Sequence, residues 1–303
     1  MLTLRIGKLI MVIHVNRIRY PNLDSAELKW RRGLNFYLEA QNIIDKYLAS
    51  KFWDYTADGR YSEHYYGIVI TENIPADAMM AIGDAVHNLR SCLDHCAFQF
   101  WLDDASKKNP PKTPDSRVHF PIGKDRQSFE KYVRNLDYEV DAEYAFQEME
   151  AFPGGAGSQL SIISDLDNID KHRLLTSSSL NITVTGAVIR RNAGPSIPAS
   201  ETILPPTTLW ANSAERYTSL IDRMGRFVYG YANFPPIAAR ENKQLDTSNA
   251  KLDFTINLAG KHGPIGDIRK IMPILIDAAR NVYEKCWFVA SNRIRASGMT
   301  DTI

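Results

Sequence analysis

The chain carries Gly83-Asp-Ala-Val-His-Asn-Leu-Arg-Ser-Cys-Leu-Asp-His95, a segment whose apolar residues recur at helical spacing. Advancing about 100° per residue, Ile82, Val86, Leu89, Leu93, Cys96 and Phe100 gather on one side of a helix. Asp84, His87, Asn88, Ser91, Asp94 and His95 gather on the other, with Arg90 at the border. An ordinary solvated helix face is filled by Lys and Glu, which keep a protein soluble at little cost. This face holds neither. Its short Asp, Asn and Ser side chains and its two histidines make local, directed hydrogen bonds or carry protons.

A second segment repeats the pattern. In Leu160-Ser-Ile-Ile-Ser-Asp-Leu-Asp-Asn-Ile-Asp-Lys-His-Arg173, Asp165, Asn168 and His172 share one side, while Ile162, Ile163, Leu166 and Ile169 face the other way. Two matching polar stripes predict a seam where the two helices meet.

The surrounding chain supplies the rest of an α+β fold, a helical bundle with an accessory antiparallel β-sheet. Asp24 with Glu27 makes a capping-box-like start to a helix running to Ser50. The aromatic run from Phe52 to Thr71 reads as a hairpin turning at Asp58-Gly59. Pro75 opens the helix that carries the first stripe. Modest helices are expected at Ser128–Asn135 and Ala142–Ala151, and one from Ser158 to about Leu175. Leu180, Ile182, Val184 and Val188 alternate with polar or small residues, as do Leu252, Phe254, Ile256 and Leu258. A less regular stretch near Ala214–Tyr231 is read as helical. A closing helix spans Asp267–Asn292, with Pro273 near its start.

These elements predict a helical bundle over 24–175 plus 267–292, and an antiparallel β region over 177–262 packed on it. Residues 1–23 form an N-terminal extension or edge strand. There Arg5 and Lys8 precede Leu9–Ile13 in superficial likeness to a signal peptide, but His14 and Asn16 break the run. Met11 as the natural start, with Val12–Ile18 an edge strand, is the simpler reading.

Composition narrows the function classes. The 303 residues are 44% hydrophobic and 23% charged, which removes disordered and fibrous classes. Lys plus Arg number 36 against 35 Asp plus Glu, so no bulk charge grips nucleic acid or anionic membrane. No apolar run approaches the roughly 18–20 residues of a membrane span. The odd count of three cysteines, Cys92, Cys96 and Cys286, points to a reducing cytoplasm rather than a disulfide scaffold.

Arg90 and His95 form an Arg-x4-His pattern on a helix. Here the sequence resembles the HEPN superfamily, helical-bundle domains whose Arg-x4-6-His motif supports metal-independent RNA cleavage, usually across a homodimer. The resemblance implies His95 as general base or acid at a ribose 2′-OH or leaving oxygen, and Arg90 as the group that stabilises phosphate charge. It implies Asp84, His87, Asn88, Asp94, Asp165, Asn168 and His172 as supporting residues, RNA and a second copy of the chain as partners, and no cofactor. This chain has Ser91 after the arginine, where the family often has Asn, Asp or His. The His87-Asn-Leu-Arg, Leu93-Asp-His and Asn168-Ile-Asp-Lys-His-Arg173 segments are also similar to a group of bacterial proteins without an assigned activity.

Two alternatives stand beside the ribonuclease. Asp84 and His87 are an i, i+3 pair, and His95, Asp165 and His172 complete a possible ligand set for zinc, manganese or iron in a metal-dependent hydrolase. The other alternative is a non-catalytic scaffold or partner protein whose polar seam is structural. Gly154-Gly-Ala-Gly157-Ser158 before a helix resembles an anion cradle, but reads more simply as a turn with a capping serine.

Overall fold

A computed structural model describes residues 23–60, 63–105, 108 and 115–173, strand segments 2–6, 9–13, 178–185, 188–191, 200–203, 207–211, 220–221, 227–228, 230–233, 237–238 and 243–246, and residues 251–260 and 263–296. The fold is α+β. Six helices are described: α1 (Asp24–Ala49), α2 (Ala76–Asp103), α3 (Arg126–Leu136), α4 (Val140–Gln147), α5 (Ser158–Arg173) and α6 (Ile268–Ala296). The described strands used below are β1 (Trp53–Arg60), β2 (Glu63–Ile70), β3 (Ser178–Thr185), β4 (Thr207–Ala211), β5 (Lys251–Gly260) and β6 (Gly263–Asp267).

The chain divides into two compact units, and the division runs through helices. One unit comprises Met1–Arg31, Leu89–Ser161 and Ala278–Ile303; the other comprises Arg32–Asn88 and Ile162–Asp277.

In the first unit, Leu89, Leu93, Cys96 and Phe100 on α2 are buried, as are Phe129 and Val133 on α3 and Phe146 on α4. Phe146 lies edge-on to Phe100 and tilted against Phe120 and Tyr138. Helix α3 begins at a reciprocal cap: the Asp125 carboxylate accepts the Ser128 N–H, and the Ser128 hydroxyl faces the Asp125 N–H. Three backbone amides around Pro153–Ser158 are spent locally. Gly155 donates to Phe152 O, Gly157 to Glu150 O, and Ala156 to the Glu150 carboxylate. Arg126 also binds that carboxylate at 2.6 Å, so the glycine-rich turn is closed by an acidic side chain of its own chain.

The second unit holds the two four-stranded sheets. Strands β3 and β5 pair antiparallel with Leu180 opposite Ile256, Ile182 opposite Phe254 and Val184 opposite Leu252. The alternating apolar residues thus share one face, as their period of two requires. Strand β4 pairs with β3 and β6 with β5. Strands β1 and β2 pair from Trp53–Ile70 to Arg60–Glu63, and Gly230–Asn233 adds to the free edge of β2. The hairpin exists, but Asp58 and Gly59 sit inside β1, opposite Tyr65 and His64, and the pairing runs past them to Arg60 and Glu63. The helix expected near Ala214–Tyr231 is not found: the described residues there lie in strands Leu220–Ile221, Phe227–Val228 and Gly230–Asn233. Leu2–Ile6 pairs with Leu9–Ile13, so Val12 and Ile13 are extended, whereas 14–18 of the expected edge strand lie outside the described residues.

Candidate functional site

The α2 face behaves as its spacing requires. Ile82, Val86, Leu89, Leu93, Cys96 and Phe100 are all buried, while Asp84 and His87 are exposed and Ser91, Asp94 and His95 partly exposed. Asn88 is the exception. It is buried, and its Nδ2 donates to Asp84 O one turn back, so it serves its own helix.

In the first unit, Arg90 and Asp94 pair at 2.9 Å. The Asp94 Oδ1 also accepts the Phe120 N–H at 2.8 Å, and Arg90 donates to Phe120 O at 3.4 Å. The Arg90 side chain is 13% exposed, and its Nη1 is buried with no partner among the described residues. A guanidinium carries five N–H donors, so an unspent buried nitrogen is a costly feature. Tyr132 of α3 stands in the field of this pair. Burial raises its hydroxyl's pKa first, with Arg90 lowering and Asp94 raising it. One helical turn on, His95 is held below its ordinary value, chiefly by burial and then by Lys29 of α1, with Asp94 opposing.

In the second unit, His87 Nδ1 lies 2.9 Å from Asp167 Oδ1, and Lys171 Nζ binds the other oxygen of Asp167 at 2.6 Å. Burial raises the Asp170 carboxyl's pKa, with Asp167 and Asp84 adding to the shift. Of the α5 stripe expected from the sequence, Asp165 is partly exposed and Asn168 exposed, while the His172 side chain lies outside the described residues. The α5 residues that meet α2 are Asp167 and Asp170. The sequence held a signal for this: Asp167 follows Ile163 by four, which places a carboxylate on the apolar side of α5, where only a paired one is stable.

Asp84, His87, Asn88, Asp165, Asn168 and His172 thus belong to one unit, and Arg90, Asp94 and His95 to the other. Among the described residues no three His, Cys, Asp or Glu side chains converge as metal ligands. Nor is any described helix long and apolar enough to cross a membrane. His119 is exposed, and His262 lies outside the described residues. No family model, curated protein or solved structure matches the chain.

Proposed function

We propose that this chain is an HEPN-like, metal-independent endoribonuclease acting on single-stranded RNA as a homodimer in the cytoplasm, with His95 and Arg90 as its catalytic residues. One observation carries the reading. His95 is partly buried near Lys29, which favours the neutral imidazole, the form a general base needs near neutral pH. It takes the proton of a ribose 2′-OH; that oxygen attacks the adjacent phosphorus and the 5′-oxygen leaves, giving a 2′,3′-cyclic phosphate. Arg90 holds an unspent donor for the charge that builds on the phosphate oxygens, reached when its guanidinium swings away from Asp94. On the face of α2 that carries Ser91 and His95, Phe98 and Leu102 are exposed at 37% and 40%, an apolar patch for a second copy of the chain.

A second reading has its own support. Arg90, Asp94 and the Phe120 backbone form a closed clip that fastens the 118–122 segment to α2, as a purely structural role would require. The two readings part on one experiment. Purified chain is incubated with single-stranded RNA in EDTA, and the ends are analysed. Cyclic phosphate ends, lost in His95→Ala with folding intact, support the ribonuclease. Uncut RNA together with a lower melting temperature in Arg90→Ala supports the clip, and cutting only on addition of a divalent metal supports a metal-dependent hydrolase.

A further inference from the structure

We infer that His87 and Asp167 form a second acid–base centre, independent of RNA cleavage, that activates water against an uncharged or cationic ester-like substrate. The geometry is that of an oriented imidazole. An ionised carboxylate has no proton to give, so the 2.9 Å contact is an Nδ1–H donating to Asp167 Oδ1, and in the neutral ring the lone pair then resides on Nε2. The two halves of the pair differ in exposure as such a centre needs: Asp167 is 4% exposed and the His87 side chain 47%. No described residue partners Nε2. Asp167 is itself fixed, because Lys171 holds its second oxygen at 2.6 Å. The carboxylate therefore cannot rotate away from the ring without breaking an ion pair.

The close approach that builds the centre has a sequence cause. A side chain at position 83 would place a Cβ 2.7 Å from Asp170 Oδ1, and glycine there leaves that space to the Asp170 carboxylate. Charge then selects the substrate. Among the described side chains, Asp84, Asp167, Asp170 and His87 lie in one another's field, and Lys171 pairs with Asp167. Such surroundings repel a phosphate or carboxylate and accept a neutral or cationic group.

In the step proposed, Nε2 takes a proton from water as the water oxygen bonds to the acyl carbon. Asp167 stabilises the imidazolium formed. The ester C–O bond breaks, His87 returns the proton to the leaving oxygen, and acid plus alcohol are released. His87 is the catalytic residue and Asp167 a positioning residue.

The test uses the full chain with three probes: p-nitrophenyl acetate (uncharged), acetylthiocholine (cationic) and mono-p-nitrophenyl succinate (anionic). The inference expects hydrolysis of the first two to exceed that by equimolar free imidazole about a hundredfold, the scale of general-base catalysis, with the anionic ester slowest. His87→Gln falls to background and His119→Gln retains the rate. Asp167→Asn loses most of it and changes the pH profile. Should Asp167→Asn fail to fold, 15N spectra of the unsubstituted chain decide instead: a bare Nε2 on His87 supports the centre, and a bare Nδ1 overturns it. A rate no greater than that of imidazole, an unaffected His87→Gln, or preference for the anionic ester also overturns it.

Discussion

Gly83 of α2 faces Asp170 of α5 so closely that a Cβ at position 83 would stand 2.7 Å from Asp170 Oδ1. Contact that tight forces one partner to move. Gly83→Ala should destabilise the chain by no more than about 1 kcal/mol despite the better helix propensity of alanine, because the Asp170 carboxylate, the end of a flexible and partly exposed side chain, must turn aside in the field of Asp84 and Asp167. In an Asp170→Ala background the clash is gone, and the same substitution should stabilise by roughly 0.5–1 kcal/mol. A double-mutant cycle by chemical denaturation checks the sign change, and equal effects in both backgrounds would contradict the contact.

Arg293 of α6 joins Asp104 at 2.7 Å and 3.1 Å and also grips Asp141. Asp104 is buried, and its Oδ2 additionally accepts the Glu139 N–H. Arg293→Met should cost about 3–5 kcal/mol, since it leaves a buried carboxylate without its cation. Asp141→Asn should cost under about 1 kcal/mol, because that carboxylate is nearly half exposed. The Arg293 hydrogen bond holds the Asp141 carboxyl below its ordinary value, so its stabilising share is present above that value and fades as pH falls through the lowered one.

His95 adds to the loss of stability on the same acid side, beginning nearer neutral pH. Its folded value lies below the ordinary 6.5, so the unfolded chain binds the proton first as pH falls. The neutral ring costs nothing above pH 6.5, and stability should decline as pH drops from 6.5 through the lowered value. His95→Gln removes that group, and urea midpoints measured from pH 7.5 to 5 should show a shallower decline than in the unsubstituted chain. An identical decline would show that His95 titrates as it does in the unfolded chain.

Cys92, Cys96 and Cys286 are free and buried, and their thiols form a hydrogen-bonded series through Cys96. Those hydrogen bonds and burial push the Cys92 and Cys96 thiols well above their ordinary range, which suppresses the reactive thiolate. An aromatic disulfide reagent should therefore label none of the three in the native chain and all three in denaturant. Rapid native labelling of any one would contradict the buried series.

Much of this was legible before any coordinates, where one period dominated. The α2 face from Ile82 to Phe100, and the alternation of Leu180, Ile182 and Val184 and of Leu252, Phe254 and Ile256, follow from periods of 3.6 and 2, whereas the pairing of the two strands does not. The hairpin turn did not, because pairing along β1 and β2 carries Asp58-Gly59 into a strand against local propensity. The stretch near 214–231 lacks a decisive period, and the described residues there are extended. At the α2–α5 contact, the sequence supplied His87 but not its partner. Asp167 looks like an intruder on an apolar face until His87 and Lys171 are seen to satisfy it. Arg90 pairs with Asp94 on its own helix, an i, i+4 match that the residue spacing already contained.

The most direct measurement of the central claim is end-group analysis of single-stranded RNA incubated with the full chain in EDTA, run beside His95→Ala and Arg90→Ala. The unsubstituted chain should leave 2′,3′-cyclic phosphate ends, and either variant should lose at least about a hundredfold in rate with circular dichroism unchanged. RNA left intact by the unsubstituted chain, or cut equally well without the His95 imidazole, would contradict it.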